Sequence, residues 1–310
     1  MSFTTRLHHR SDLRGYAIVP LATPFRADGT LDEAAVGRLV DYTIAGGCQG
    51  ILVGGTTGEA ASMSLSARLA LTAAAVRGAA GRAAIFAGIG DNCVDHSLAL
   101  ARDAFRVGAD AVVAHLPSYY PLSPVDIETY FLNLADHSDG PLYLYNIPQT
   151  TRHSVPLDVL QRLSAHPRIA GVKDSEPDGA RQEKVAAEFA GRDDFSVFCG
   201  SVAFTGAAMR AGADGFVPSV GNLAPRLCRD LMDRWLARDE AGAKEVQAKL
   251  GAISAVYQQG RNLGESLAAL KGGFEALGLA SRHMLPPLRP VQQQDVDRIR
   301  RQLQDLHFLS

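Results

Sequence analysis

Eight short runs of β-branched and aliphatic residues, each followed by a longer Ala/Leu/Arg-rich stretch of helical period, constrain this chain more than any other feature. The runs cover residues 17–21, 50–54, 83–88, 111–114, 142–145, 169–173, 195–200 and 215–218. Their starts recur roughly every 28 residues, close to the ~30 of a strand–helix–strand unit. They are apolar at successive positions, as parallel strands covered on both faces must be. Eight such units predict an α/β fold, the closed (β/α)8 TIM barrel; an open doubly wound sheet would show the same alternation.

Helices are predicted at 31–45, 64–79, 94–107, 124–137, 156–165, 180–190 and 202–211. Gly46, Gly108 and Gly212 follow helical runs and are expected as left-handed stops. Beyond Asn222 the strand signal ceases, and the rest is Ala/Leu/Gln/Arg-rich with helical spacing, broken at 260–264 and at Pro286, Pro287 and Pro290. The expected organisation is a flexible leader (1–14), a barrel carrying the active site (15–236) and a C-terminal helical domain (237–310).

A formal charge of -2 over 310 residues provides no broad basic field for nucleic acid or anionic lipid. No apolar run approaches the roughly 20 residues of a membrane span, and the leader lacks an apolar core followed by a cleavage site, so a cytoplasmic chain is expected. Cys48, Cys93, Cys199 and Cys228 show no paired spacing, which predicts neither a disulfide frame nor structural zinc.

In a barrel of this kind chemistry sits at the C-terminal strand ends. Those ends carry Thr56, Thr57 and Glu59; Asp91 and Asn92; Ser118 to Tyr120; Tyr145 and Asn146; Lys173 and Asp174; Ser201; and Ser219 and Asn222. Lys173 stands out. Of only five lysines, Lys184, Lys244, Lys249 and Lys271 fall in amphipathic helical stretches and read as solvated charges, whereas Lys173 ends a buried strand. An ammonium held there loses hydration, which predicts a pKa falling from about 10.4 toward 7. The free amine is a nucleophile toward a carbonyl carbon. The alternative is a salt bridge with Asp174 or Glu176, and position alone favours neither.

Tyr145 and Tyr119 add to the first reading, because a phenol with hydroxyl neighbours moves protons without bringing a permanent charge near an iminium. Singly, a strand-end tyrosine more often packs than catalyses. The turn Gly54-Gly55-Thr56-Thr57-Gly58-Glu59 offers hydroxyls and free N–H groups to a carboxylate. Its structural alternative is a tight turn with Thr57 capping a helix and Glu59 in the first turn.

With these residues in hand, the chain resembles the dihydrodipicolinate synthase / N-acetylneuraminate lyase family of pyruvate-type class I aldolases. The likeness spans nearly the whole sequence and is carried by Gly55-Thr56-Thr57-Gly58-Glu59, Pro117-Ser118-Tyr119-Tyr120-Pro121, Tyr145-Asn146-Ile147-Pro148 and Gly171-Val172-Lys173, in that order. The resemblance implies a Schiff base on Lys173 and an acid/base phenol at Tyr145. It further implies a proton relay through Thr56, and a carboxylate held by Thr57 with its backbone. Gly55, Gly200, Ser201, Val217 and Ser219 complete the expected substrate contacts. Tyr119 matches a relay tyrosine supplied across a subunit interface, which implies a homo-oligomer, a dimer or the family's usual tetramer. The implied partner is a 2-oxo acid such as pyruvate, with no cofactor and no metal.

Two departures bear on the substrate. Where the synthases carry a carboxylate-binding arginine, this chain has Thr150, with Arg152 two residues on. Where sialic-acid lyases place acidic residues after strand seven, Gly200-Ser201-Val202-Ala203 offers one hydroxyl. The expected enzyme therefore acts on another 2-oxo acid, such as a 2-keto-3-deoxy sugar acid, a hydroxyproline-derived acid or an aryl-substituted pyruvate adduct. The alternatives are 4-hydroxy-tetrahydrodipicolinate synthase proper and a sugar-acid aldolase or dehydratase. Outside this chemistry stand a metal enzyme using Asp91, His96, His115 or Asp174 and a silent 2-oxo-acid-binding relative.

Overall fold

The computed structural model describes residues 13–308, so positions 1–12 of the expected leader lie outside the described residues. Eight parallel strands close into a barrel in sequence order, β1 to β8 and back to β1. They are β1 (Tyr16–Pro20), β2 (Gly50–Val53), β3 (Ala84–Gly88), β4 (Ala111–His115), β5 (Leu142–Asn146), β6 (Ile169–Asp174), β7 (Ser196–Cys199) and β8 (Gly215–Phe216). The last is shorter than its apolar run because Pro218 has no N–H to continue a ladder.

Around the barrel lie α1 (Glu33–Ala45), α2 (Leu65–Ala79), α3 (Val94–Arg106), α4 (Pro124–Asp136), α5 (Leu157–Leu163), α6 (Gly179–Phe189), α7 (Thr205–Ala211) and α8 (Pro225–Leu236). Three further helices follow: α9 (Glu240–Gln258), α10 (Leu263–Ala276) and α11 (Gln293–Asp305). Starts are set by side-chain caps. Ser64 accepts from the Ala67 N–H, and Ser123 and Asn262 form capping boxes with Asp126 and Glu265. At the end of α1 the expected left-handed stop falls one residue later. Gly46 keeps a helical φ of -72° as the cap, and the reversal occurs at Gly47, φ +86°.

The strands do not alternate polar with apolar because each face has its own apolar layer. Ile18, Leu52, Phe86, Val113, Tyr143 and Phe198 fill the barrel interior. Their neighbours Val19, Ile51, Val112, Leu144, Val172 and Val197 point outward and pack under the helices. That outer layer also takes in Leu250 and Tyr257 of α9, Leu270 and Phe274 of α10 and Ile299 of α11. Burial of such side chains is worth roughly 1.5–3 kcal/mol each, and this shared layer packs the C-terminal helices onto the barrel. Among the described residues no helix is long and apolar enough to cross a membrane.

Candidate active site

Strand register builds the site. His115 lies opposite Tyr145, Tyr145 opposite Lys173, and Lys173 opposite Phe198, so these positions share one level at the barrel mouth. Lys173 is 6% exposed and its Nζ stands 3.9 Å from the centroid of the buried Tyr145 ring. Beneath them an aromatic floor is formed by Phe86, Tyr143 and Phe198, with ring centroids 5.4 and 5.9 Å apart. Gly171 makes that packing possible. A Cβ there would lie 2.3 Å from the Ser196 carbonyl oxygen and 2.8 Å from the Tyr143 ring.

The salt bridge weighed for Lys173 does not form. Both candidate carboxylates turn to Arg181 of α6, whose Nε lies 2.9 Å from Asp174 and 3.0 Å from Glu176. Asp174 also accepts from the Asn146 amide at 3.0 Å and from Gln182 at 3.2 Å. Burial pushes the Asp174 carboxyl above its usual range, against the pull of Arg181. Asn146 and Asp174 each follow a site residue in sequence and tie β5 to β6 behind the pair. Among the described residues Lys173 has no ion-pair partner.

Above Lys173 opens a cavity of about 1190 Å³. Of the expected contacts, Thr56, Thr57, Tyr145, Lys173, Gly200, Ser201, Val217 and Ser219 line it. Gly55 does not. It serves the turn through its backbone, its carbonyl accepting from the Gly58 and Ala60 N–H groups. Tyr119 also lies elsewhere, 77% exposed on the surface, edge-on to Tyr120, in a loop anchored by Asn92 Oδ1 to the Ser118 N–H at 2.8 Å. No hydrogen bond joins the hydroxyls of Thr56 and Tyr145 among the described residues. Thr150 lines the cavity, whereas Arg152 is exposed outside it, at the end of a single helical turn, Pro148–Thr151.

Other lining residues came without a sequence signal. Gln149, Ser175 and, from α9, Gln258 face the cavity. Gln258 donates to Ser219 at 3.3 Å, and the Ser219 and Tyr257 hydroxyls are bonded at 2.7 Å. Burial pushes the Tyr257 phenol up to about 12.

The turn after β2 departs from the structural alternative given for it. Thr57 caps no helix, since Ser64 caps α2. Glu59 is left-handed, φ +60°, with its carboxylate fully buried and 2.5 Å from Lys271 Nζ. Lys271 is thus not a solvated charge. It is 1% exposed, and burial pulls its pKa down while Glu59 pulls it up.

The residues weighed as metal ligands are otherwise engaged. Asp91 lies 3.4 Å from Arg68 and 3.3 Å from His96, and His115 donates through Nδ1 to the Leu116 carbonyl. Among the described residues no group of three or more His, Cys, Asp or Glu side chains is arranged to hold a metal ion.

A parallel barrel presenting a buried lysine and tyrosine side by side at its mouth has the architecture of a barrel aldolase, a lyase that makes or breaks a bond next to a carbonyl. The chain belongs to the dihydrodipicolinate synthetase family, whose model matches residues 14–306. It is 31% identical over 294 residues to a 4-hydroxy-tetrahydrodipicolinate synthase of Gluconacetobacter diazotrophicus, covering 95% of this chain and 97% of the relative. It is 30% identical over 285 residues to an Escherichia coli K12 protein named a probable 2-dehydro-3-deoxy-D-pentonate aldolase, covering 91% and 94%. Among solved structures, a prophage protein of the same family from Escherichia coli K12, in complex with pyruvate, superposes with a TM-score of 0.89 at 26% identity. That likeness covers 95% of this chain and 99% of the other.

Proposed function

We propose that this chain is a cofactor-independent Schiff-base lyase acting on a pyruvate-type 2-oxo acid. The observation that carries the reading is Lys173, buried and, among the described residues, without an acidic partner, its Nζ over the Tyr145 ring at the floor of the cavity. Its amine adds to the C2 carbonyl, and loss of water leaves an imine. Once protonated, the iminium draws electrons from the C3–C4 bond while the C4 hydroxyl gives up its proton to a base. Breaking C3–C4 then releases an aldehyde and leaves an enamine, which takes a proton at C3 and is hydrolysed to pyruvate. Tyr145 is the group that gives and takes protons, with Thr56, which lines the same cavity, as relay. Thr57 and the N–H groups of its turn hold the C1 carboxylate, and Gly200, Ser201, Val217 and Ser219 bound the rest of the chain.

For the aldehyde half we propose a neutral, hydroxylated fragment, so that the whole substrate is a 2-keto-3-deoxy sugar acid. Hydroxyls and amides line the cavity at Thr150, Ser175, Ser201, Ser219 and Gln258; of the cations on its lining besides Lys173, Arg210 lies 3.9 Å from Glu240 and Lys244 is exposed. Arg152, the nearest replacement in sequence for the synthase arginine, is exposed outside it. A site that hydrogen-bonds hydroxyls rejects analogues lacking them more strongly than a greasy one rejects a missing methylene. The synthase reading retains the support of the Gluconacetobacter relative. A retro-aldol screen over 2-oxo acids, scored by pyruvate release, tests the assignment. Cleavage of hydroxylated acids is expected, and efficient condensation of pyruvate with aspartate semialdehyde would overturn the substrate class.

The proposal includes a homo-oligomer, a dimer or tetramer, in which Tyr119 reaches the cavity of a second copy. Its exposure beside Tyr120, outside its own cavity, supports this. Sedimentation of wild type with activity of Tyr119→Phe tests it. A fully active monomer would contradict it.

A further inference from the structure

We propose that Glu59 and Lys271 are a positioning pair through which helix α10 holds the Thr56–Thr57 turn in its substrate-binding shape. This rests on the reading of that turn as the carboxylate site.

The turn is bent at both ends into left-handed backbone, at Gly54 with φ +64° and at Glu59 with φ +60°. Glycine adopts that conformation freely, but glutamate does so only when its surroundings hold it there. The Glu59 N–H donates to the Thr56 carbonyl at 3.1 Å, so where Glu59 sits decides where Thr56 sits. Its carboxylate accepts from Lys271 Nζ at 2.5 Å and from the Leu285 N–H at 3.0 Å, both from the C-terminal region. Lys271 in turn donates to the His283 carbonyl at 2.5 Å. All the charge-bearing atoms are removed from water.

A buried ion pair is weak evidence of stabilisation, since apolar residues of similar volume often serve as well. Here the C-terminal helices already share an apolar layer with the barrel. What an apolar pair would not supply is direction. Two donors fix the carboxylate, and the carboxylate fixes a strained residue two positions from Thr57.

Exchange of the pyruvate methyl protons with deuterium, followed by NMR, tests the pair without knowledge of the aldehyde. Misplacing a binding group by about 1 Å costs as much as 10²-fold, so Lys271→Met is expected to raise the pyruvate KM about tenfold and slow exchange. That variant leaves a carboxylate buried alone, so the double variant Glu59→Gln/Lys271→Met, which buries no charge, separates stability from position. Its melting temperature is expected to return toward wild type while KM stays raised at least about fivefold. A folded double variant with wild-type KM and exchange rate would make the pair structural glue and overturn the proposal. Absence of exchange in wild type would overturn the carboxylate-site reading, and the pair's role with it.

Discussion

Lys173 and Lys271 are both buried, yet their surroundings are opposite. Lys271 meets a carboxylate, a carbonyl and, at 4.4 Å, the Phe25 ring. Lys173 meets the Tyr145 ring at 3.9 Å and an open cavity, while Asp174 and Glu176 beside it are claimed by Arg181. A charge fully matched by its neighbours has nothing left to offer a ligand, and a matched pair is best suited to fixing geometry. A lysine denied a partner although two carboxylates are adjacent in sequence is left free to react. On the proposed reading, burial does not single out the nucleophilic amine; the lack of a counter-ion among the described residues does.

The largest effect that distinguishes the two is on turnover. Lys173→Ala is expected to lower pyruvate release by roughly 10⁴-fold or more, the scale of removing a nucleophile, while circular dichroism shows an intact fold. A residual rate near wild type would place the chemistry elsewhere. Lys271→Met, beyond its effect on KM, acts on stability. Stranding the Glu59 carboxylate costs about 3–5 kcal/mol, which denaturant titration reads, and a change under 1 kcal/mol would mean water reaches the pair. Tyr145→Phe keeps the ring under Lys173 but removes the hydroxyl, and about a 10²-fold loss in turnover is expected for a lost acid/base group. Full activity would assign the proton to another residue.

The smallest effect concerns His115, opposite Tyr145 in register. Burial lowers its pKa from 6.5, helped by Arg68 and Lys173. Below about 6.5 the unfolded chain therefore binds a proton that the folded chain refuses, and this residue's contribution to stability is lost as pH falls through that window. His115→Gln is expected to flatten the acid limb of melting temperature against pH. An unchanged limb would show that the mouth accommodates a second cation.

Much of this was legible in the sequence for local reasons. Apolar runs with glycine or proline at their ends are properties of contiguous residues, and a lone lysine closing such a run is visible where lysines are few. Lys271 was not legible in the same way. Its helix looks amphipathic, and the partner that makes it a core residue is 212 positions away. Glu59 is illegible for the same reason, because a first-turn acid and a left-handed buried one share one local sequence. Gln258 reaches the cavity only because α9 folds back over the mouth, which no motif announces. Tyr119 carries a family motif, but its place relative to a cavity depends on whether a second copy of the chain is present.

On the proposed reading Lys173, and not Lys271, becomes covalently attached to a 2-oxo acid. Incubation with pyruvate and borohydride, followed by peptide mapping by mass spectrometry, tests it directly. A single reduced adduct is expected on the peptide containing Lys173, lost in Lys173→Ala and retained in Lys271→Met. No adduct, or an adduct on any other lysine, would contradict it.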